Sequence, residues 1–130
     1  MKRKVEVDFV EGEGEDKIEF HGEVTLKRLN FSEKNMLEEE ATDIKIFGNV
    51  PQVKVSPSKL MEVSILRTVV ENGLRKTTYH VDKKSKELIA QVIEYDLNID
   101  NIRKLPIEVG NLLFTEFTII NNLQQKKNEI

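Results

Sequence analysis

The chain has two histidines, His21 and His80, and no cysteine. An imidazole can act as a general base or a metal ligand near neutral pH. Neither histidine has a serine and an acid patterned around it for nucleophilic catalysis, and two such ligands alone make a weak metal site. Acidic residues gather twice. Glu11, Glu13, Glu15 and Asp16 could attract a divalent cation, but they lack the spacing of a calcium loop closed by a bidentate acid, and they read more simply as a solvated hairpin turn. Glu38, Glu39 and Glu40 with Asp43 read as the wet face of a helix, because acid–base chemistry needs carboxylates converging in a cleft. Gly12-Glu-Gly14 lacks the third glycine or the Gly-Lys-Ser/Thr ending of a phosphate cradle. Met1-Lys-Arg-Lys4 could touch phosphate, but without interleaved aromatics it reads as a solubilising terminus. No catalytic residue, cofactor site or metal site is expected.

The elements that would position these residues form an α+β pattern. Val5, Val7 and Phe9 alternate with Lys4, Glu6 and Asp8, the period of a half-buried strand. The alternation resumes at Ile18, Phe20, Val24 and Leu26, which predicts a β-hairpin over 4–27 with Gly22 as a bulge or kink. A first helix is expected over 32–45, capped by Ser32 or by an Asn30/Glu33 capping box, with Met36, Leu37, Ala41 and Ile44 on one face. Residues 44–55 read as a small hairpin or an extended crossing. Gly48-Asn49 is the turn signal there, and Pro51 argues against a central strand. Ser56-Pro57 opens a second helix over 57–72, which Asn72-Gly73 would stop. A second hairpin is expected over 77–95, against a short helix at Leu88 to Tyr95, because Ile89, Val92, Ile93 and Tyr95 favour strand. A turn at 98–104 then leads to a final helix over 106–125, with Pro106 in its first turn. The expectation is one domain over 1–130, three main helices packed with small antiparallel hairpins.

Composition narrows the function classes. The chain has 130 residues, enough for a real core. A charged fraction of 33% with a net charge of only −3 places both signs on the surface. That weakens a nucleic-acid reading, which wants a basic excess. No long apolar run is present, so no membrane span is expected. No such run follows Met1-Lys-Arg-Lys4, so a secretory signal is not expected and a cytoplasmic location is. High Glu, Lys and Ile without Trp or Cys resembles a heat-adapted composition.

The informative features are apolar. Leu60, Met61, Val63, Ile65, Leu66, Val69 and Val70 spread over more than half the circumference of the second expected helix. The last helix adds Phe114 and Ile119 beside its main stripe of Val109, Leu112, Leu113, Phe117, Ile120 and Leu123. Both faces could simply close the core. Otherwise Leu66, Val70, Phe114 and Ile119 are candidates for binding a partner or another copy.

Three stretches resemble the tail assembly chaperones of long-tailed phages and prophages. They are Val24-Thr-Leu-Lys-Arg-Leu-Asn-Phe-Ser-Glu-Lys-Asn-Met-Leu-Glu-Glu-Glu-Ala41, Val53–Val70 around Ser56-Pro57, and Ile102-Arg-Lys-Leu-Pro-Ile-Glu-Val-Gly-Asn-Leu-Leu113 with Ile120-Asn-Asn-Leu123. The hairpin before Val24 and the stretch from Arg75 to Asp96 lie outside the compact pattern. The resemblance implies a non-enzymatic protein that binds a tape-measure-type client and shields its apolar segments during tail assembly in phages or archaeal viruses. The alternatives are a structural virion protein of the tail tube or baseplate, which self-associates, and a small ligand-binding domain built on the histidines and acids.

Overall fold

The computed structural model describes residues 1–47 and 50–121, with the side chains of all of these except 43–47, 52 and 53. The fold is α+β, as the patterning predicts. An antiparallel sheet carries a layer of helices on one face, and a separate two-stranded hairpin stands apart from it.

β1 (Lys2–Glu11) and β2 (Ile18–Lys27) form the N-terminal hairpin in unbroken register, from Lys2 opposite Lys27 to Glu11 opposite Ile18. The bulge expected at Gly22 is absent from this pairing, since Val7 sits directly across from Gly22. Gly22 matters to the other neighbour of β2 instead. There β5 (Val69–Asn72) pairs with Val24, Thr25 and Leu26, and β6 (Arg75–Val81) pairs with Ile18 to His21. Val24 opposite Asn72 and His21 opposite Arg75 belong to one register. β5 and β6 are therefore one line of chain, broken at Gly73-Leu74 beside Gly22-Glu23. The Asn72 side chain spans the break, accepting from the Leu74 amide at 3.0 Å and donating to the Tyr95 carbonyl at 2.8 Å. Asn72-Gly73 is thus an inter-strand break and not the stop of a helix. β7 (Leu88–Glu94) pairs along β6 and completes the second expected hairpin, whose first arm begins earlier than predicted, at Arg75.

The helices differ from expectation mainly at their ends. α1 spans Phe31–Glu40 and is started by the Asn30/Glu33 capping box, not by Ser32. It stops before Thr42, whose hydroxyl donates to the Glu38 carbonyl at 2.5 Å, and the chain enters β3 (Thr42–Phe47). Ile44 is therefore a strand residue, not a helix-face residue. β3 pairs with β4 (Val50–Val55), so 44–55 belongs to a hairpin. Pro51 fits because a two-stranded sheet has no central strand. The Gly48-Asn49 turn signal lies outside the described residues.

α2 spans Pro57–Thr68, with Ser56 accepting from the Lys59 amide at 3.4 Å and proline in the first turn. It ends four residues before the predicted boundary. The β-branched pair Val69-Val70 loses rotamer freedom in a helix, and the edge of β2 offers it ladder partners. α3 (Ile99–Arg103) replaces the turn expected at 98–104 and is capped by Asn98 on the Asn101 amide at 2.9 Å. α4 spans Ile107–Ile120. Pro106 is its cap, extended at ψ 144°, and not its first helical residue. The helix closes at Asn121, and the remainder of the predicted run, 122–125, lies outside the described residues.

The core lies between the sheet and α2, α3 and α4. Val5, Val7, Phe20, Val24 and Leu26 from the hairpin meet Val63, Ile65, Ile102, Val109, Leu113, Phe117 and Ile120 from the helices. Burying each such side chain contributes about 1.5–3 kcal/mol before entropic costs. The broad apolar arc of α2 is used on several sides, as it packs on α1, α3, α4 and β2. Tyr95, just past β7, closes the end of the core. Its ring stands edge-on to Phe20 at 5.1 Å, its hydroxyl donates to the Asn101 carbonyl at 2.7 Å, and burial pushes its phenol pKa up.

Candidate functional site

The face of the sheet opposite Phe20 carries the densest polar chemistry. Asp8 and His21 are cross-strand partners, with Oδ1 2.9 Å from Nδ1. His21 Nε2 lies 3.4 Å from Glu19 Oε1. The Tyr79 hydroxyl donates to the other Glu19 oxygen, and the Lys17 ammonium lies over the Tyr79 ring at 5.4 Å. The phenol hydrogen bond, more than the nearby charges, holds the Glu19 carboxyl below the usual carboxylate range, and the same bond raises Tyr79. An Asp–His–Glu–Tyr chain has the ingredients of a proton relay. Here alternation and register on an open sheet explain its placement, since one residue in two of β1, β2 and β6 must point to this face.

His80 does not join that chain. Phe20 faces Lys76, and His80 lies four residues further along β6, so it shares the face of Phe20. His21 is on the other face. The two histidines cannot share a metal ion. Among the described residues no group of three or more His, Asp or Glu side chains converges to hold one. In the acidic turn, Gly14–Asp16 forms a single 3-10 turn whose Glu15 accepts from the Val81 amide at 3.2 Å, a structural contact from one hairpin to the next. Of the α1 acids, Glu40 is engaged in a two-pronged pair with Arg67 at 3.0 Å.

The apolar candidates divide. Leu66 is half-buried against the core, Val70 is exposed on β5, and Ile119 is exposed near the end of α4. Phe114 is half-buried and stacked on Phe117 with ring centroids 5.6 Å apart. Only Phe114 of the four lines a cleft of about 190 Å³ between α1 and α4. The other apolar walls are Leu29, Leu37, Leu60 and Phe117, with Lys34, Glu38 and Asn121 at the rim. Asn121 fixes this geometry. Its carbonyl oxygen accepts from the Leu29 amide at 2.6 Å while its amide nitrogen donates to the Phe117 carbonyl at 3.1 Å, tying the entry of α1 to the end of α4. A second opening, about 350 Å³, lies on the far side of α1. Leu29, Met36 and Leu37 floor it, and the Lys27–Glu33 and Arg67–Glu40 pairs rim it. α1 is thus a helix held on one buried residue, Leu37, with an opening along each side.

Sequence reasoning missed Leu29, and named Leu60 only within the apolar arc of the second helix, because a cleft wall needs tertiary placement. It also missed the most exposed apolar element. Every residue of β7 is exposed, including Leu88, Ile89, Val92 and Ile93. The alternation rule expects one buried face on such a strand, and here the helices stop short of it. Among the described residues no helix is long and apolar enough to cross a membrane. No family model, curated protein or solved structure matches this chain.

Proposed function

We propose that the protein is a non-enzymatic binding protein of virion assembly, of the tail-assembly-chaperone kind, which holds an apolar segment of an elongated tape-measure-type client. The observation that carries this reading is the cleft between α1 and α4, with Leu29, Leu37, Leu60, Phe114 and Phe117 as walls. At about 190 Å³ it is smaller than the roughly 300–1,000 Å³ of metabolite pockets. It suits one or two side chains from an amphipathic helix laid across it. The charged rim would set the helix orientation without adding much affinity. Co-expression with a tape-measure-like protein encoded beside this chain, followed by pull-down, tests the reading. A soluble complex that weakens with Phe114→Ala supports it, and the absence of a complex with every such candidate overturns it.

A structural virion protein is the second reading, favoured by the exposed β6–β7 arm. Such a protein assembles alone into rings or tubes visible by electron microscopy.

A further inference from the structure

β7 is an edge strand with no charged residue from Leu88 to Ile93 and apolar side chains on both faces. Edges of this kind are normally blunted by charge, proline or a bulge, because their unpaired amides recruit other strands. The opposite edge, β1, has that protection: Lys2, Arg3, Lys4, Glu6 and Asp8 interrupt it, Val5 and Val7 are buried with only Val10 exposed, and Arg3 is paired with Glu116 of α4. Nothing comparable protects β7.

We propose that β7 pairs antiparallel with β7 of a second copy, about a two-fold axis at Gln91, to make a closed dimer with one continuous sheet. The backbone parity allows it. The Tyr95 amide donates to the Leu74 carbonyl and the Glu87 carbonyl accepts from the Asp82 amide, both at 2.9 Å. Odd-numbered residues of β7 therefore turn their backbone groups toward β6. Leu88, Ala90, Val92 and Glu94 present theirs at the free edge. With the axis at Gln91, Ala90 meets Val92 of the second copy and Leu88 meets its Glu94, so free groups face free groups throughout. The side chains agree as well. Ile89 falls beside the second copy's Ile93, and the reciprocal pair falls on the same face, so two isoleucine pairs flank the central Gln91 pair where the helices leave the sheet bare. The charges select this partner. The turn between Asp82 and Glu87 carries Lys83, Lys84 and Lys86 and is net positive at one end of the strand, and Glu94 and Asp96 lie at the other. Two-fold pairing places each lysine turn beside the acids of the other copy. The proposal is independent of client binding, which uses the cleft between α1 and α4, whose lining includes no residue of β7.

Light scattering on the full chain across a concentration series should give twice the 15.1 kDa chain mass at high concentration. Val92→Pro deletes an amide hydrogen that β6 does not use, so the hairpin is retained while the edge is blocked. It should weaken dimerisation at least about tenfold, from two lost hydrogen bonds per dimer and the ring's bulk. A separate test does not depend on proline being tolerated. Asp96→Lys alone and Lys86→Asp alone should each weaken the dimer, and mixing the two variants should restore it, because each mixed contact then joins opposite charges. A chain monomeric at the highest concentration, a dimer unaffected by a folded Val92→Pro variant, no rescue on mixing, or growth beyond a dimer into open filaments would each overturn the proposal.

Discussion

Gly22 and Gly73 pass each other with no room for a side chain: a β carbon on Gly22 would sit 2.0 Å from the Gly73 carbonyl oxygen. Gly22 also has φ +134°, a conformation open essentially to glycine alone. The contact lies where β2 changes partner from β6 to β5. Gly22→Ala should therefore destabilise the protein by about 2–4 kcal/mol, combining a steric clash with backbone strain. Urea denaturation followed by circular dichroism checks this, and a loss under about 1 kcal/mol would mean the strand break relaxes more easily than its geometry implies.

Ser64 is fully buried on α2, and its hydroxyl has no hydrogen-bond partner among the described residues. A desolvated hydroxyl is costly, and alanine is the better helix former. Ser64→Ala should leave stability unchanged or raise it by about 0.5–2 kcal/mol. A decrease in the thermal midpoint would show that the hydroxyl has a role in the packed helix layer.

Asn121 joins two elements through both ends of its amide. Asn121→Leu would strand the Leu29 amide, so a loss of about 1–3 kcal/mol is expected. Because Leu29 walls the cleft beside α1, the same variant should weaken client capture at concentrations where the protein remains folded.

The Glu19 carboxyl is held below its ordinary value, first by the Tyr79 hydroxyl, with further help from His21 and Lys17. Glu33 is lowered by the Lys27 ammonium and the Asn30 amide, and Asp82 by the Lys84 amide and the Ser85 hydroxyl. A depressed folded-state pKa adds stability above the unfolded carboxylate value and loses it as pH falls through the folded value. Denaturation midpoints should therefore drop as pH falls below about 4.5. Tyr79 has the opposite sign: its raised pKa adds stability that is present below about 10 and lost as pH rises through the folded value. Glu19→Gln should flatten part of the acid limb and return one of the two tyrosines toward the ordinary phenol value in an absorbance titration.

How much of this was legible from residues alone follows the range of the cause. The first hairpin was legible because Val5, Val7 and Phe9 alternate over a full strand. The Ser56-Pro57 start was legible because capping is local chemistry, whereas the Asn30/Glu33 box was visible only as a competitor of Ser32. The end of α2 was not, because Val69 and Val70 fit a helical stripe as well as a strand, and only the free edge of β2 decides between them. α3 was missed because five residues carry too little periodicity, although Asn98 three residues before Asn101 was a usable capping signal. Phe114 was found as a flanking apolar residue, but its neighbours Leu29 and Leu60 come from sequence positions far away. The exposure of β7 could not be read at all, since a strand of leucine, isoleucine and valine looks like core until the covering layer is seen to end.

The alternation of backbone direction along β7 gives the strand two populations of amide hydrogens. Those of Ile89, Gln91 and Ile93 are turned inward to β6, and those of Ala90, Val92 and Glu94 point away from it. In deuterated solvent a lone copy would exchange every second amide quickly and hold the ones between, so residue-resolved exchange reads the strand as a barcode. A partner on the edge would darken the missing bars without changing the others, which reports occupancy in a crude mixture before the occupant has been purified.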